Sequence, residues 1–375
     1  MSVSCRTQYA QSASNTGAAA TAKSRKQAEQ RLRTFLPMPI DIVVDGMGSD
    51  KAPEPEVRGA VLACRHYDVR VHLVGPEESL RPALDRALLS HGWLSAAAPK
   101  IRIVQASEWI SMDDKAAQAV RTKRDSSMRV GLRMVREGSA RAFFTAGNTG
   151  AAMVTAKTVL GMLAGVHRPA LATIIPTVTG SPSLLLDVGA NVDCDPDNLV
   201  QFAVMGHMYA RNVLRIPSPR VGLLSIGEED SKGNSLTHDT FPLLRELSGI
   251  DFIGNVEGRD LFNGRTDVAV CDGFVGNVAL KTSEGIAKLV STLLREALKS
   301  TVTSQVGALL SRRAFNDFKK RLDYSEYGGA PLLGVRGVCI VGHGSSNERA
   351  IMNGIRVAAE FAQADVNSHI EAALQ

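Results

Sequence analysis

Aromatic residues are scarce in this chain of 375 residues, at 5%, although hydrophobic residues as a class reach 44%. A core that large must be built from Ala, Val, Leu and Gly. That favours an α/β protein packed through small side chains over an all-β sandwich, with length for one large core or two modest ones. Cysteine is equally uninformative as a scaffold. Cys5, Cys64, Cys194, Cys271 and Cys339 are odd in number, scattered and free of any C-x-x-C spacing. A disulfide framework or zinc site is not expected, and the thiols read as buried small hydrophobes in a reducing cytoplasm.

Long hydrophobic runs are missing too. The longest informative uncharged stretch, Pro169–Leu186, is interrupted by Pro176, Gly180 and Pro182, and reads as two buried strands around a turn. A spanning helix needs about 20 apolar residues without such breaks. No secretory h-region opens the chain. The common catalytic signatures are also lacking: no G-x-x-x-x-G-K-[ST], no G-x-S-x-G and no H-E-x-x-H. Gly342-x-Gly344-x-x-Asn347 comes nearest to a dinucleotide fingerprint but lacks its third Gly. The chemistry is expected to proceed without nucleotide, metal, serine nucleophile or other cofactor.

Charge is unevenly placed. The formal net charge is +5, yet residues 1–38 carry net +5 and residues 288–321 net +6, leaving net −6 for everything else. A uniform nucleic-acid-binding surface is therefore not expected, whereas a local basic surface for an anionic partner is. Residues 1–37 show no apolar periodicity and read as a disordered tail. Their low acid content resembles a transit peptide, and an upstream start codon accounts for them equally well. Residues 38–370 read as one catalytic domain.

From residue 39 onward, short apolar runs alternate with amphipathic ones. Strands are expected at 40–44, 69–75, 101–105, 142–145, 171–176, 183–188, 221–226, 252–256, 268–271 and 337–341. Helices fall between them, among them 148–163, a long one from Val275 and a last one over 346–373. This β-α alternation specifies a mostly parallel sheet covered on both faces. The strands run into loops rich in Gly, Asn, Asp and Ser: Asp45–Pro53, Ala146–Gly150, Asp187–Asp193, Gly227–Asn234, Asp272–Asn277 and Gly342–Asn347. Ligands of open α/β sheets bind at the carboxyl ends of strands. Six such loops are expected to converge on one rim, where backbone N–H groups and helix N-termini favour an anion such as inorganic phosphate.

The same loops carry a family resemblance. M-G-x-D-x-A-P (Met47–Pro53), A-G-N-T-G-A (Ala146–Ala151), R-P-A-L-A (Arg168–Ala172), L-L-D-V-G-A-N-V-D (Leu185–Asp193), Q-F-A-V-M-G (Gln201–Gly206), G-L-L-S-I-G-E-E-x-x-K-G-N (Gly222–Asn234), D-G-F-x-G-N (Asp272–Asn277) and Y-x-x-Y-G-G-A-P-L-L-G (Tyr324–Gly334) resemble bacterial phosphate acyltransferase of the PlsX type. Ser49, Ala116 and Arg141 depart from the usual pattern, and Arg141 is expected to alter charge beside the site. The resemblance implies a fold similar to isocitrate dehydrogenases and phosphotransacetylases, and a homodimer. It also implies transfer of a long-chain fatty acyl group from the thioester of acyl carrier protein to inorganic phosphate. The acyl phosphate would feed a membrane glycerol-3-phosphate acyltransferase for phospholipid synthesis.

Because a thioester is already activated and phosphate is itself the nucleophile, positioning and charge stabilisation suffice. Lys232 and Lys281 are candidates for neutralising charge, and Asp187 or Asp272 for orienting groups or acting as base. Gly147, Asn148, Thr149, Gly150, Gly189, Asn191, Gly233, Asn234, Gly273, Gly276, Asn277, His343, Gly344 and Ser345 are candidates for holding phosphate or the thioester oxygen. Against these stand plainer readings: Lys281 as a surface lysine, Asp187 as a turn cap, His343 as a spacer, Ser345 and Ser346 as N-caps. In the basic segment 288–321, Val306, Leu309 and Leu310 interleave with Arg312, Arg313, Lys319 and Lys320. This fits reversible contact of a peripheral protein with an anionic membrane surface, recognition of acidic carrier protein, or a solvated helix at a dimer interface. Three other functions are weighed: a phosphotransacetylase-like enzyme using acyl-coenzyme A, an inactive membrane-surface scaffold and a dehydrogenase of related fold. The last is disfavoured by the missing carboxylate cluster and dinucleotide fingerprint.

Overall fold

The computed structural model describes residues 39–89, 94–315, 318 and 328–375. The expected tail over 1–37 lies outside the described residues. Among the described residues eleven strands form one sheet: β1 (Ile40–Asp45), β2 (Val69–Gly75), β3 (Ile101–Gln105), β4 (Ala142–Thr145), β5 (Ala170–Ile175), β6 (Ser183–Leu186), β7 (Arg220–Leu224), β8 (Asp251–Val256), β9 (Val268–Val270), β10 (Ala330–Leu333) and β11 (Val338–Val341). Their order across the sheet is β3-β2-β1-β4-β11-β10-β5-β6-β9-β7-β8. Pairing is parallel except where β10 meets β11 and β5, and where β5 meets β6.

Those antiparallel pairs correct one expectation. β1, β4 and β11 run in one direction, and β6, β9, β7 and β8 in the other. The six Gly-rich loops therefore lie in two groups at opposite ends of the strands, not on one rim. The reversal comes at the β5–β6 hairpin, whose two strands are consecutive in the chain. Two further differences concern element limits. β10 is a strand that the apolar pattern does not single out. The expected last helix is two helices, α11 (Glu348–Ala364) and α12 (Val366–Ala373), broken at Asp365 with φ 45°. Asp is among the few L-residues that tolerate the left-handed region.

Both sheet faces are buried, and alternate residues of one strand serve different cores. Ile42 and Val44 join the larger cluster, whereas Val43 joins the second with Phe143, Leu185 and Ala269. The two-residue period of an extended chain produces this split, and strands buried on both faces read as continuous apolar runs. No helix among the described residues is long and apolar enough to cross a membrane.

The helices nearest the centre of the sheet begin where polar side chains cap them. α5 (Thr149–Val159) is capped by Asn148, whose Oδ1 accepts the Ala151 N–H at 3.0 Å. α9 (Gly273–Lys299) is capped by Asp272, whose Oδ1 accepts the Phe274 and Val275 N–H groups at 2.9 Å each. α11 is capped by Asn347 and not by Ser345 or Ser346, with Oδ1 accepting from Arg349 and Ala350. Each cap satisfies donors that the helix itself leaves orphaned. Other helices are α1 (Glu54–His66), α2 (Glu77–Leu89), α3 (Ala116–Thr122), α4 (Ser127–Arg136), α6 (Pro196–Asn212), α7 (Ser235–Glu246), α8 (Asp260–Asn263) and α10 (Val302–Leu310).

Candidate active site

A cleft of about 570 Å³ opens over the middle of the sheet, where strand direction reverses. The first turn of α5 reaches it through Thr149 and Gly150, the cap and first turn of α11 through Asn347 and Ala350, and the first half of α9 through Asn277 and Lys281. Of the residues predicted to form the site, Thr149, Gly150, Gly189, Asn277, Lys281, His343 and Ser345 line this cleft together. They come from loops at opposite ends of the strands, yet meet above β5 and β10.

Other predicted residues stand behind this lining and shape it. Asp187 is fully buried. Its Oδ1 accepts the N–H groups of Leu171 at 3.0 Å, Gly189 at 3.2 Å and Ala190 at 3.0 Å. Its Oδ2 accepts from Asn191, through the backbone N–H at 2.7 Å and Nδ2 at 2.9 Å. Burial pushes its carboxyl upward in pKa, and these hydrogen bonds oppose the rise. The side chain thus holds the loop that presents Gly189. Asn191 is itself buried and also donates from Nδ2 to the Pro169 carbonyl at 2.7 Å. Asp272 acts structurally as the α9 cap.

Gly273 and Gly276 let the start of α9 touch the Asp187 loop. A Cβ on Gly276 would fall 1.9 Å from the Asp187 carbonyl oxygen, and one on Gly273 would fall 2.6 Å from that of Asn191. No side chain fits between these backbones. Asn148, besides capping α5, donates from Nδ2 to the carbonyls of Met112 and Asp114 at 3.2 and 3.1 Å. Gly147 donates its N–H to Thr145 Oγ1 at 3.0 Å. Gly344 packs beneath Met112 and Asp50, and donation from the Asp50 N–H to its carbonyl at 2.8 Å ties the 46–50 and 342–344 loops together.

The loop with Lys232, Gly233 and Asn234 does not reach this cleft. Lys232 is exposed, and Asn234 forms a reciprocal capping box with Thr237 at the start of α7. Arg141 is also away from the cleft, at the amino end of β4, where its guanidinium reaches the Ala362 carbonyl at 3.4 Å. Ala116 does sit near the cleft, 3.3 Å from where a Cβ on Gly150 would be.

Sequence reasoning missed the apolar part of the lining, including Met153, Ile174 and Leu280, and the acidic Glu284. Lys281 Nζ donates to Glu284 Oε2 at 2.9 Å. The i, i+3 spacing on a helix was the available signal for that pair. Met153 lies one turn past Gly150 and Leu280 one turn past Asn277, so helical periodicity held that signal as well. Burial pushes the Cys194 thiol up to about 12 and raises Cys271 well above its ordinary value. These two cysteines stay protonated at neutral pH and are poor nucleophiles.

In the basic segment, Val302, Val306, Leu309 and Leu310 of α10 are exposed, as are Arg312 and Arg313 just beyond it. Lys319 and Lys320, and the tyrosines of the 324–334 motif, lie outside the described residues. α9 is a 27-residue helix whose only buried residues are Gly273 and Gly276. The face away from the cleft exposes Val278, Ile286, Leu289 and Leu293.

Comparison with known proteins agrees with this architecture. The solved phosphotransacetylase from Streptococcus pyogenes superimposes with a TM-score of 0.61 at 16% identity, covering 91% of this chain and 98% of that one. The EutD phosphotransacetylase from Staphylococcus aureus gives 0.54 at 14% identity, covering 87% of this chain and 94% of that one. At such identities the likeness establishes the fold. Sequence relatives are much nearer. Phosphate acyltransferase from Acidobacterium capsulatum is 69% identical over 335 residues, covering 89% of this chain and 97% of the relative. That from Citrifermentans bemidjiense is 53% identical over 329 residues, covering 88% and 91% respectively. The family model described as "Fatty acid synthesis protein" matches residues 40–369. The chain therefore belongs to the fatty acid synthesis protein family, as one of its bacterial phosphate acyltransferases.

Proposed function

We propose that this acyltransferase moves a long-chain fatty acyl group from the thioester of acyl carrier protein onto inorganic phosphate, with residues 38–370 acting as one catalytic unit. The observation that carries this reading is the opening of two helix N-termini, those of α5 and α11, on one cleft beside Lys281. Helix N-termini concentrate N–H donors and positive potential, which suits a phosphate dianion.

In the proposed reaction a phosphate oxygen attacks the thioester carbonyl. The O–C bond forms, charge collects on the carbonyl oxygen, and collapse breaks the C–S bond. The departing thiolate takes a proton and acyl phosphate remains. Phosphate needs no activation by an enzyme nucleophile, and burial keeps the Cys194 and Cys271 thiols out of that role. Lys281 supplies the positive charge, while Thr149, Ser345 and His343 are placed to orient phosphate or the thioester oxygen. Asp187 and Asp272 position loops; phosphate as nucleophile asks for no base from either.

The acyl phosphate would then serve a membrane glycerol-3-phosphate acyltransferase in phospholipid synthesis. Exposed Val306, Leu309 and Leu310 beside Arg312 and Arg313 support reversible contact between a cytoplasmic protein and an anionic membrane surface. The apolar outer face of α9 supports a homodimer, since a helix of 27 residues gains little from two buried glycines.

The test is phosphate-dependent release of thiol from palmitoyl-carrier protein, with palmitoyl phosphate identified by mass. Likeness of fold to phosphotransacetylases favours one second reading, transfer between acyl-coenzyme A and phosphate. Consumption of acetyl-coenzyme A with the carrier-protein substrate untouched would establish that reading in place of the first.

A further inference from the structure

One turn into each of two helices an apolar side chain enters the cleft. On α5 the first turn brings Gly150 to the cleft and the next turn brings Met153; on α9 the corresponding pair is Asn277 and Leu280. Three residues of helix advance about 4.5 Å along the axis. A ligand seated at the first turn of either helix therefore meets an apolar side chain roughly three carbon–carbon bonds farther along it. Met153 and Leu280 are only partly buried, and both pack against the core beneath the cleft, so the wall is backed and fixed. Ile174 of β5 adds to it from the sheet. Across the cleft, His343, Ser345 and Ser346 make the facing side polar.

An amphiphile whose charged or reacting end is joined directly to hydrocarbon matches this pattern. Free phosphate alone leaves the wall unused. We infer that Met153 and Leu280 determine acyl specificity by flanking the first carbons of the chain beyond the thioester carbonyl. This rests on the proposed acyl transfer and deepens it, by assigning the hydrocarbon end of the substrate to named side chains. Lys281, one residue past Leu280, and its ion-pair partner Glu284 line the same cleft.

The experiment measures kcat/KM for a donor series from acetyl- to palmitoyl-carrier protein with wild type, Met153→Trp and Leu280→Trp, with KM for phosphate determined in parallel. Two variants at separate positions guard against one failing to fold, and thermal melts check each. The expected result is a fall of about tenfold in the palmitoyl-to-acetyl ratio in at least one folded variant, on the scale of a misfit of a methylene or two. KM for phosphate should stay within about twofold, because the phosphate end lies on the other turn of each helix. An unchanged ratio in both folded variants overturns the inference. So does an unchanged ratio accompanied by a raised phosphate KM, which would assign the wall to the phosphate end. If the wild type makes no acyl phosphate from any donor in the series, the proposed function itself falls and this inference falls with it.

Discussion

The hydroxyl of Thr145 donates to Asp45 Oδ2 at 2.8 Å while its oxygen accepts the Gly147 N–H at 3.0 Å. Through that one side chain, the buried end of β1 is joined to the loop that starts α5 and carries Thr149 and Gly150 into the cleft. Thr145→Val preserves shape but removes both bonds and leaves the buried Asp45 carboxyl short of a donor. A loss of about 1–3 kcal/mol in stability is expected from urea denaturation. A fall in kcat for acyl transfer should accompany it, because the α5 N-terminus is no longer anchored.

Glu56 should make stability depend on pH. It is fully buried on α1, with Oε1 accepting the Ser49 N–H at 2.7 Å and Oε2 without a hydrogen-bond partner among the described residues. Burial, the largest cause, and the nearby Asp45 push it up from 4.5 to about 7. A carboxyl raised on folding holds its proton more tightly in the native state. Its contribution is full below the unfolded value near 4.5 and is lost as pH rises through 7. The loss amounts to about 3 kcal/mol by pH 8. Urea midpoints measured from pH 5 to 8 should fall, and Glu56→Gln should flatten the trend. Some slope should remain, since burial raises Asp45 in the same direction.

Asp187→Asn separates a positioning role from a catalytic one. The amide places a donor where the carboxylate accepts from Leu171, Gly189, Ala190 and Asn191. Losing charge-assisted bonds and gaining an opposed donor should cost about 3 kcal/mol in stability. Acyl transfer should fall by the same factor at every pH. A general base would instead take one limb of the pH–kcat profile with it.

Lys281 and Glu284 should respond very differently although they form an ion pair. Lys281→Met is expected to lower kcat by about 100-fold, the scale of removing one group that stabilises transition-state charge. Glu284→Gln should leave stability within about 0.5 kcal/mol, since a half-exposed pair at i, i+3 contributes little. Steady-state kinetics on both variants, with Lys281→Arg as partial rescue, checks the assignment.

Much of the fold was legible because apolar runs and their flanking turns are local. β2 and β3 begin and end where the alternation of residue types places them. β10 was not legible. Pro331 lies inside it and donates no backbone hydrogen bond, so Ala330–Leu333 reads as a turn segment until β5 and β11 are seen on either side. The six loops were expected on a single rim because β-α alternation implies one strand direction, whereas β5 and β6 form an antiparallel hairpin that reverses it. For the cleft, polar residues in Gly-rich loops were conspicuous, and seven of those predicted do line it. Lys232 carries the same loop signature but belongs to a helix cap elsewhere. Met153 and Leu280 look like ordinary core residues on amphipathic helices, and only the three-dimensional arrangement distinguishes them.

The place of β10 and β11 bears on how the protein is made. They are the last strands in the chain, yet they sit between β4 and β5 at the middle of the sheet. On the ribosome, the flanks β1–β4 and β5–β9 emerge before the residues that couple them. Until Ala330–Val341 arrive, each flank ends in an open strand edge of the kind that mispairs readily. A chain interrupted before that point holds two half-sheets and no cleft between them. Premature termination therefore yields an inert product with exposed edges that chaperones and proteases can sort, and never a partly working transferase.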